Sequence, residues 1–198
     1  MGEDRHGTRA RIQGVALDLF GEQGYEKTSL REIAERLGVT KAALYYHFKS
    51  KEDIIRSLVE DYAADVDRLM TWAKSQPRTV ENRRELLDRY VDIVVSRTRI
   101  FQCLERNQAA MGNLKYHGAR EFRERIHSLA ELVQEPGASL PERVRASMAF
   151  MAIHVGWLFF QDEPVGKEEL RTVVHDIAWD LATARQAEPA HGALTQSG

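Results

Sequence analysis

The chain of 198 residues holds one cysteine, Cys103, so it can form no intramolecular disulfide, and neither a Cys-x-x-Cys pair nor a zinc-ligand spacing can be written with it. A reducing compartment and no bound metal are expected. Long apolar runs are missing too. The opening MGEDRHGTRARIQG lacks the apolar centre of a signal peptide, and no stretch reaches the roughly 18 apolar residues that span a bilayer. The expectation is a cytoplasmic protein with no membrane partner. There is no strand-like alternation of convincing length, no fixed-period repeat and no low-complexity tract, which excludes β and solenoid architectures. His-x-x-x-His, Gly-x-Ser-x-Gly and phosphate-loop patterns are absent as well, so neither a catalytic centre nor a cofactor is implied.

A strong charge of one sign is also lacking. The formal net charge is -2, which argues against a surface coated uniformly with nucleic acid and requires any DNA-binding face to be local. Residues 1–51 carry nine Lys or Arg against seven Asp or Glu, and the remainder 19 against 23. A composition 43% hydrophobic and 29% charged is that of a folded protein, large enough for one domain or two closely packed ones.

What is present is helical periodicity. Ile12, Val15, Ala16, Leu19 and Phe20 form the stripe of a first helix, with Thr8 as its N-cap and Gly21 and Gly24 as its end. In KTSLREIAERLGV, Ser29 and Glu32 have capping-box spacing, Leu30, Ile33, Ala34 and Leu37 make a buried face, and Gly38 suits a left-handed cap. Thr40 caps a short third helix to about His47, and Ser50 with Asp53 opens a long fourth one running to Gln76-Pro77. Further stripes occupy residues 83–98, 100–111 and 119–134, broken at Thr98-Arg99, GNLKYHG and EPGASLP. Residues 144–160 are apolar on nearly every face and read as central core, and a last helix covers about 167–185.

The segment from Thr28 to Phe48 has the requirements of a helix-turn-helix: a small residue between the helices (Ala34), a glycine at the corner (Gly38), and apolar locks (Ile33, Leu37, Val39, Leu44). The second of these helices projects TKAALYYH, so Thr40, Lys41, Ala42 and Ala43 can enter a major groove, with Lys41 the natural base reader. Thr28, Ser29, Thr40 and Lys51 lie near helix N-termini, which favour phosphate, and Tyr45, Tyr46, His47 and Lys49 add donors. Adjacent tyrosines cannot share a helix face, so one of the pair is expected inside. His47 can instead cap its own helix, and Arg5, Arg9 and Arg11 are either a phosphate-seeking arm or simply solvated.

The run IAERLGVTKAALYYHFKSKEDII is similar to the signature of the tetracycline-repressor (TetR) family of bacterial regulators, contiguously across about residues 9–60. The resemblance implies an all-α fold: an N-terminal three-helix helix-turn-helix DNA-binding domain (residues 1–50), a C-terminal helical bundle for ligand binding and dimerisation (51–188) and a flexible tail (189–198). It implies phosphate contacts at Thr28 or Ser29, Arg31, Thr40, Tyr46, His47 and Lys51, and base-facing positions at Lys41, Ala42 and Ala43, with Arg31 an alternative base reader. Implied partners are double-stranded operator DNA, a small-molecule effector and a second copy of the chain, paired through the last two helices.

The bundle carries no motif. Polar or aromatic residues within its apolar stripes, namely Tyr90, Arg97, Gln102, Asn107, Met111, His154 and Trp157, are candidates for an effector cavity or for an ordinary satisfied core. Trp157, Phe159 and Phe160 can serve the pocket or the dimer, and Cys103 a redox sensor or plain core. The working expectation is a repressor released from a palindromic operator by a ligand. The alternatives are a DNA-binding module whose bundle docks a protein, and an enzyme housed in the bundle.

Overall fold

A computed structural model describes residues 3–107 and 112–184, with the side chains of 3–6 and 112–119 left aside. Among the described residues there are nine helices and no strand: α1 (Glu3–Glu22), α2 (Leu30–Leu37), α3 (Lys41–His47), α4 (Lys51–Ser75), α5 (Val80–Ser96), α6 (Thr98–Arg106), α7 (Gly112–Val133), α8 (Leu140–Phe160) and α9 (Lys167–Thr183). None of them is long and apolar enough to cross a membrane.

Local chemistry sets most boundaries. The Ser29–Glu32 box opens α2, Thr40 accepts from the Ala43 amide at the start of α3, Ser50 from Asp53 at α4, and Thr79 from Asn82 at α5. Gly38 ends α2 at φ 69°. Its N–H donates to the Glu35 carbonyl at 3.1 Å and that of Val39 to the Ala34 carbonyl at 3.0 Å, the paired bonds of a Schellman turn, in which a side chain would be strained.

Three expectations need correction. Thr8 does not cap α1, which already runs from Glu3 through it and on past Gly21; the positive φ belongs to Gly24, at 92°. GNLKYHG is not a break, because α7 starts at Gly112 and runs through it. Finally, α8 is central core on one face only. Ala146, Ala149, Phe150, Ile153 and Trp157 are buried, whereas Val144, Met148, Met151, Val155 and Phe159 are exposed along the opposite face.

Two apolar clusters result. The first joins Ile12, Ala16, Phe20, Ile33, Leu44 and Phe48 to Ile54, Ile55 and Leu58 of α4 and to Ile100 and Cys103 of α6. The second gathers Tyr62, Leu87, Tyr90, Leu129, Phe150, Ile153, Trp157 and Val174 from α4, α5, α7, α8 and α9. With 25 residues, α4 is about 37 Å long and serves both. Helices α8 and α9 lie against each other so closely that a Cβ on Gly156 would stand 2.8 Å from Val174 Cγ2.

Inside the second cluster, the Tyr90 hydroxyl lies 2.8 Å from His154 Nε2 and 2.9 Å from the Tyr62 hydroxyl, which is itself 3.3 Å from Nε2. Burial pushes the imidazole down from 6.5 to about 4. The unfolded chain therefore takes up a proton as pH falls below 6.5 that the fold refuses until about 4; the stability is full above this window and is lost through it. Such a shift corresponds to roughly 3 kcal/mol, reduced to about 2 kcal/mol because solvent reaches part of the ring. In urea denaturation at pH 7 and pH 4.5, His154→Leu is expected to lose about 2 kcal/mol less over the interval than the unsubstituted protein. Equal losses would refute a buried neutral imidazole.

Candidate nucleic-acid interface

The outward side of α3 is assembled from its backing. Leu44 and Phe48 bury into the first cluster, while Thr40, Lys41, Ala42, Ala43 and Tyr46 are exposed together. Tyr46 is 61% exposed and meets His47 edge-on at 5.3 Å. Tyr45 turns the other way, half-buried against the first cluster. The Lys41 ammonium stands 5.5 Å over the Tyr45 ring, and Lys49 Nζ donates to the Tyr45 carbonyl at 2.7 Å. The pair thus divides between core and surface, and two alanines beside Lys41 leave room for base edges to approach.

Flanking residues differ in what they can offer. Arg31 is exposed and paired with equally exposed Glu35 at 2.7 Å, a contact worth little in water. Ser29 is exposed, but its amide and hydroxyl both donate to the Glu32 carboxylate, at 2.7 and 2.8 Å. Those bonds hold Glu32 below the usual carboxylate range, so a negative charge already sits at the start of α2. Arg9 lies over the Phe48 ring at 5.3 Å and Arg11 is exposed; the side chain of Arg5 lies outside the described residues.

Two residues expected at phosphates have other work. Thr28 is 2% exposed, and its hydroxyl donates to the Gly24 carbonyl at 2.8 Å, because the turn out of α1 folds it inward. Lys51 Nζ donates to the Tyr25 carbonyl at 2.6 Å and the Glu26 carbonyl at 3.4 Å, and rides 4.3 Å over the Tyr25 ring. It ties the α1–α2 turn to α4 instead of facing outward.

Tyr25 was not singled out by sequence pattern, since it follows Gly24 in a turn with no periodicity. It is buried, its hydroxyl donates to Glu52 at 2.6 Å, and its amide donates to Asn107 Oδ1 at 3.2 Å. Burial, reinforced by Glu52, pushes the Tyr25 phenol well up, and the phenol's hydrogen bond holds Glu52 down.

Of the effector candidates, Tyr90, His154 and Trp157 come together in the second cluster or against it. Asn107 does not belong with them: it caps α6 and faces Tyr25, in the turn between α1 and α2. Arg97 is held by Asp65 through Nε at 2.9 Å, and Gln102 is half-buried. Met111 and residues 189–198 lie outside the described residues. Burial pushes the Cys103 thiol up to about 11, which disfavours a redox-sensing thiolate.

These placements separate structural from exposed lysines. Lys51→Met is expected to lower stability by about 1–2 kcal/mol through its lost carbonyl and ring contacts, while Lys41→Ala stays within about 0.5 kcal/mol. Urea denaturation checks this, and equal stability of the two variants would contradict it.

Residues 12–58 match the model of the bacterial regulatory proteins of the tetR family. The chain is 45% identical over 62 residues to the HTH-type transcriptional regulator AcrR of Shigella flexneri, spanning 31% of this chain and 29% of that protein. It is 25% identical over 167 residues to an HTH-type transcriptional regulator of Staphylococcus aureus strain MRSA252, spanning 82% and 86%. In fold it is similar to the TetR family regulator PfmR of Thermus thermophilus (TM-score 0.66, 23% identity, 88% of this chain and 100% of that one). It is likewise similar to AmtR of Mycobacterium smegmatis (TM-score 0.66, 23% identity, 89% and 87%). The corner at Gly38, the outward α3 and the match across 12–58 lead to one assignment: residues 12–58 are a domain of the tetR family of bacterial regulatory proteins.

Proposed function

We propose that the protein is a cytoplasmic repressor that binds a palindromic operator as a homodimer and leaves it when a small molecule enters the bundle. The observation that carries this reading is the exposed face Thr40, Lys41, Ala42, Ala43 and Tyr46 on a helix locked from behind by Leu44 and Phe48. Residues 1–50 act as the reader, and 51–188 as the sensing and pairing part. Lys41 reads a base, with guanine O6 and N7 its best partner, and Thr40 and Tyr46 hold phosphates. A domain from a family of regulators rather than enzymes supports a binding role over a catalytic one.

Pairing explains the exposed face of α8. Five apolar residues on one side of that helix, joined by Val173 and Ile177 of the adjacent α9, are more than a lone chain leaves to water without use. A second copy placed against them by a two-fold axis covers both faces at once and sets two α3 helices about one DNA turn apart.

Two measurements test the reading. In a selection from random duplexes, Lys41→Ala is expected to relax preference at one base position of each half-site, whereas Tyr46→Ala weakens all sequences by about 1 kcal/mol, or fivefold. Unchanged selectivity in both would remove α3 as the reader. Replacing Phe159 and Ile177, 67% and 51% exposed, by Asp places carboxylates in the pairing face, and light scattering should then find monomers with much reduced operator affinity. A dimer that survives both substitutions places the interface elsewhere.

A further inference from the structure

Resting on the reading of the bundle as the effector site, the side chains around His154 restrict what the effector can be. Three hydrogens belong to the cluster of Tyr62, Tyr90 and His154: one on each hydroxyl and one on the neutral imidazole. If Nε2 accepts, the two hydroxyl hydrogens close the short contacts of 2.8 and 2.9 Å between Tyr90, His154 and Tyr62, and the hydrogen on Nδ1 is left over. If Nε2 carries the hydrogen, one hydroxyl hydrogen is left over instead. Either tautomer leaves one donor that no described residue accepts.

Aromatic rings box the imidazole. Tyr90 and Phe150 close the inner side and are fully buried. Phe101 of α6 and Phe122 of α7 flank the imidazole at 4.9 and 5.3 Å, near-perpendicular to it at 85° and 75°, and both are only half-buried. Edge-to-face contacts of this kind are what an inserted ring reproduces.

The described cations nearest the box are already paired. Arg97 is taken by Asp65 at 2.9 Å and Arg125 by both oxygens of Asp67 at 2.9 and 3.0 Å. An anion entering the box would lose its water and find these cations taken, and a cation would meet the positive end of the spare donor.

We propose that the effector is an uncharged aromatic molecule bearing a hydrogen-bond acceptor, such as a carbonyl oxygen, seated against Phe101 and Phe122 with that acceptor turned to the one spare donor of the His154 and tyrosine cluster. Four size-matched probes separate the requirements: acetophenone has ring and acceptor, ethylbenzene the ring alone, cyclohexyl methyl ketone the acceptor alone, and benzoate a charge. Binding is read by titration with the ¹⁵N-imidazole resonances of His154 observed, and operator release is measured separately. Acetophenone is expected to bind at least tenfold more tightly than the other three and to shift the His154 nitrogens. His154→Leu and Phe122→Ala should each weaken it at least tenfold while Tyr46→Ala leaves it unchanged; Phe122→Ala strands no buried polar group, so it serves if the histidine variant folds poorly. Benzoate or the saturated ketone binding as well as acetophenone, or His154 unmoved at saturating acetophenone, overturns the proposal. Binding with the expected order but without operator release upholds the site and its chemistry, and removes instead the idea that filling the bundle controls DNA.

Discussion

The reader helix is held by a core that its own three helices do not complete. Leu44 and Phe48 of α3 lie in one cluster with Ile54, Ile55 and Leu58 of α4 and with Ile100 and Cys103 of α6. A three-helix head this small has little interior, and small cores are marginal unless something is added. Here the addition is side chains from the helices that also build the bundle. The aim of Lys41 and Tyr46 is therefore a property of the whole chain: moving α4 or α6 by a fraction of a side chain repacks what lies under α3.

Polar contacts make the same joint directional. Hydrophobic packing alone tolerates sliding, but Gln13 donates to Ser57 and Asp61 at 2.9 and 2.7 Å, Tyr25 to Glu52, Lys51 to the Tyr25 carbonyl, and Asn107 receives the Tyr25 amide. Arg99 of α6 pairs with Asp18 of α1. Most of these bonds are at least partly shielded from water, where breaking one partner costs more than its net contribution to stability. Together they fix α1 and its turn against both α4 and α6, so the head follows the two helices as a unit. Net charge contributes little to this arrangement; the useful charges are placed singly.

What the sequence made legible was short-range. The capping box at Ser29, the Thr40 and Ser50 caps and the Gly38 corner depend on residues three to five apart and are found where spacing puts them, although Asp53 bonds the Lys49 amide rather than closing a box with Ser50. The outward face of α3 followed from the same periodicity. What stayed hidden depends on contacts across the chain. Thr28 and Lys51 have the residue types that suit phosphate, yet one is turned inward and the other is held by carbonyls some 25 residues away. Tyr25 gives no periodic signal, and its bond to Asn107 spans 82 residues. Asn107 looked like a pocket residue because α6 lies in the bundle by sequence order, while its C-terminal end belongs by contact to the head. The exposed side of α8 shares its hydropathy with the buried side, so composition could not tell exposed face from core.

α6 is where the two levels meet. It has nine residues, too few for independent stability, so its position is set by what it touches. Phe101 faces the imidazole of His154 and the ring of Tyr62, whereas Ile100 and Cys103 face the core under the reader, and Asn107 just beyond its end holds Tyr25. A molecule that displaces Phe101 cannot do so without acting on Ile100, because one turn of helix carries both. Such a molecule shifts DNA affinity only by its preference for one placement of α6 over the other. Because the core beneath α3 is close-packed, small displacements of α6 are resolved by repacking between discrete arrangements rather than by continuous strain, which under the proposed function gives so short a helix leverage over α3.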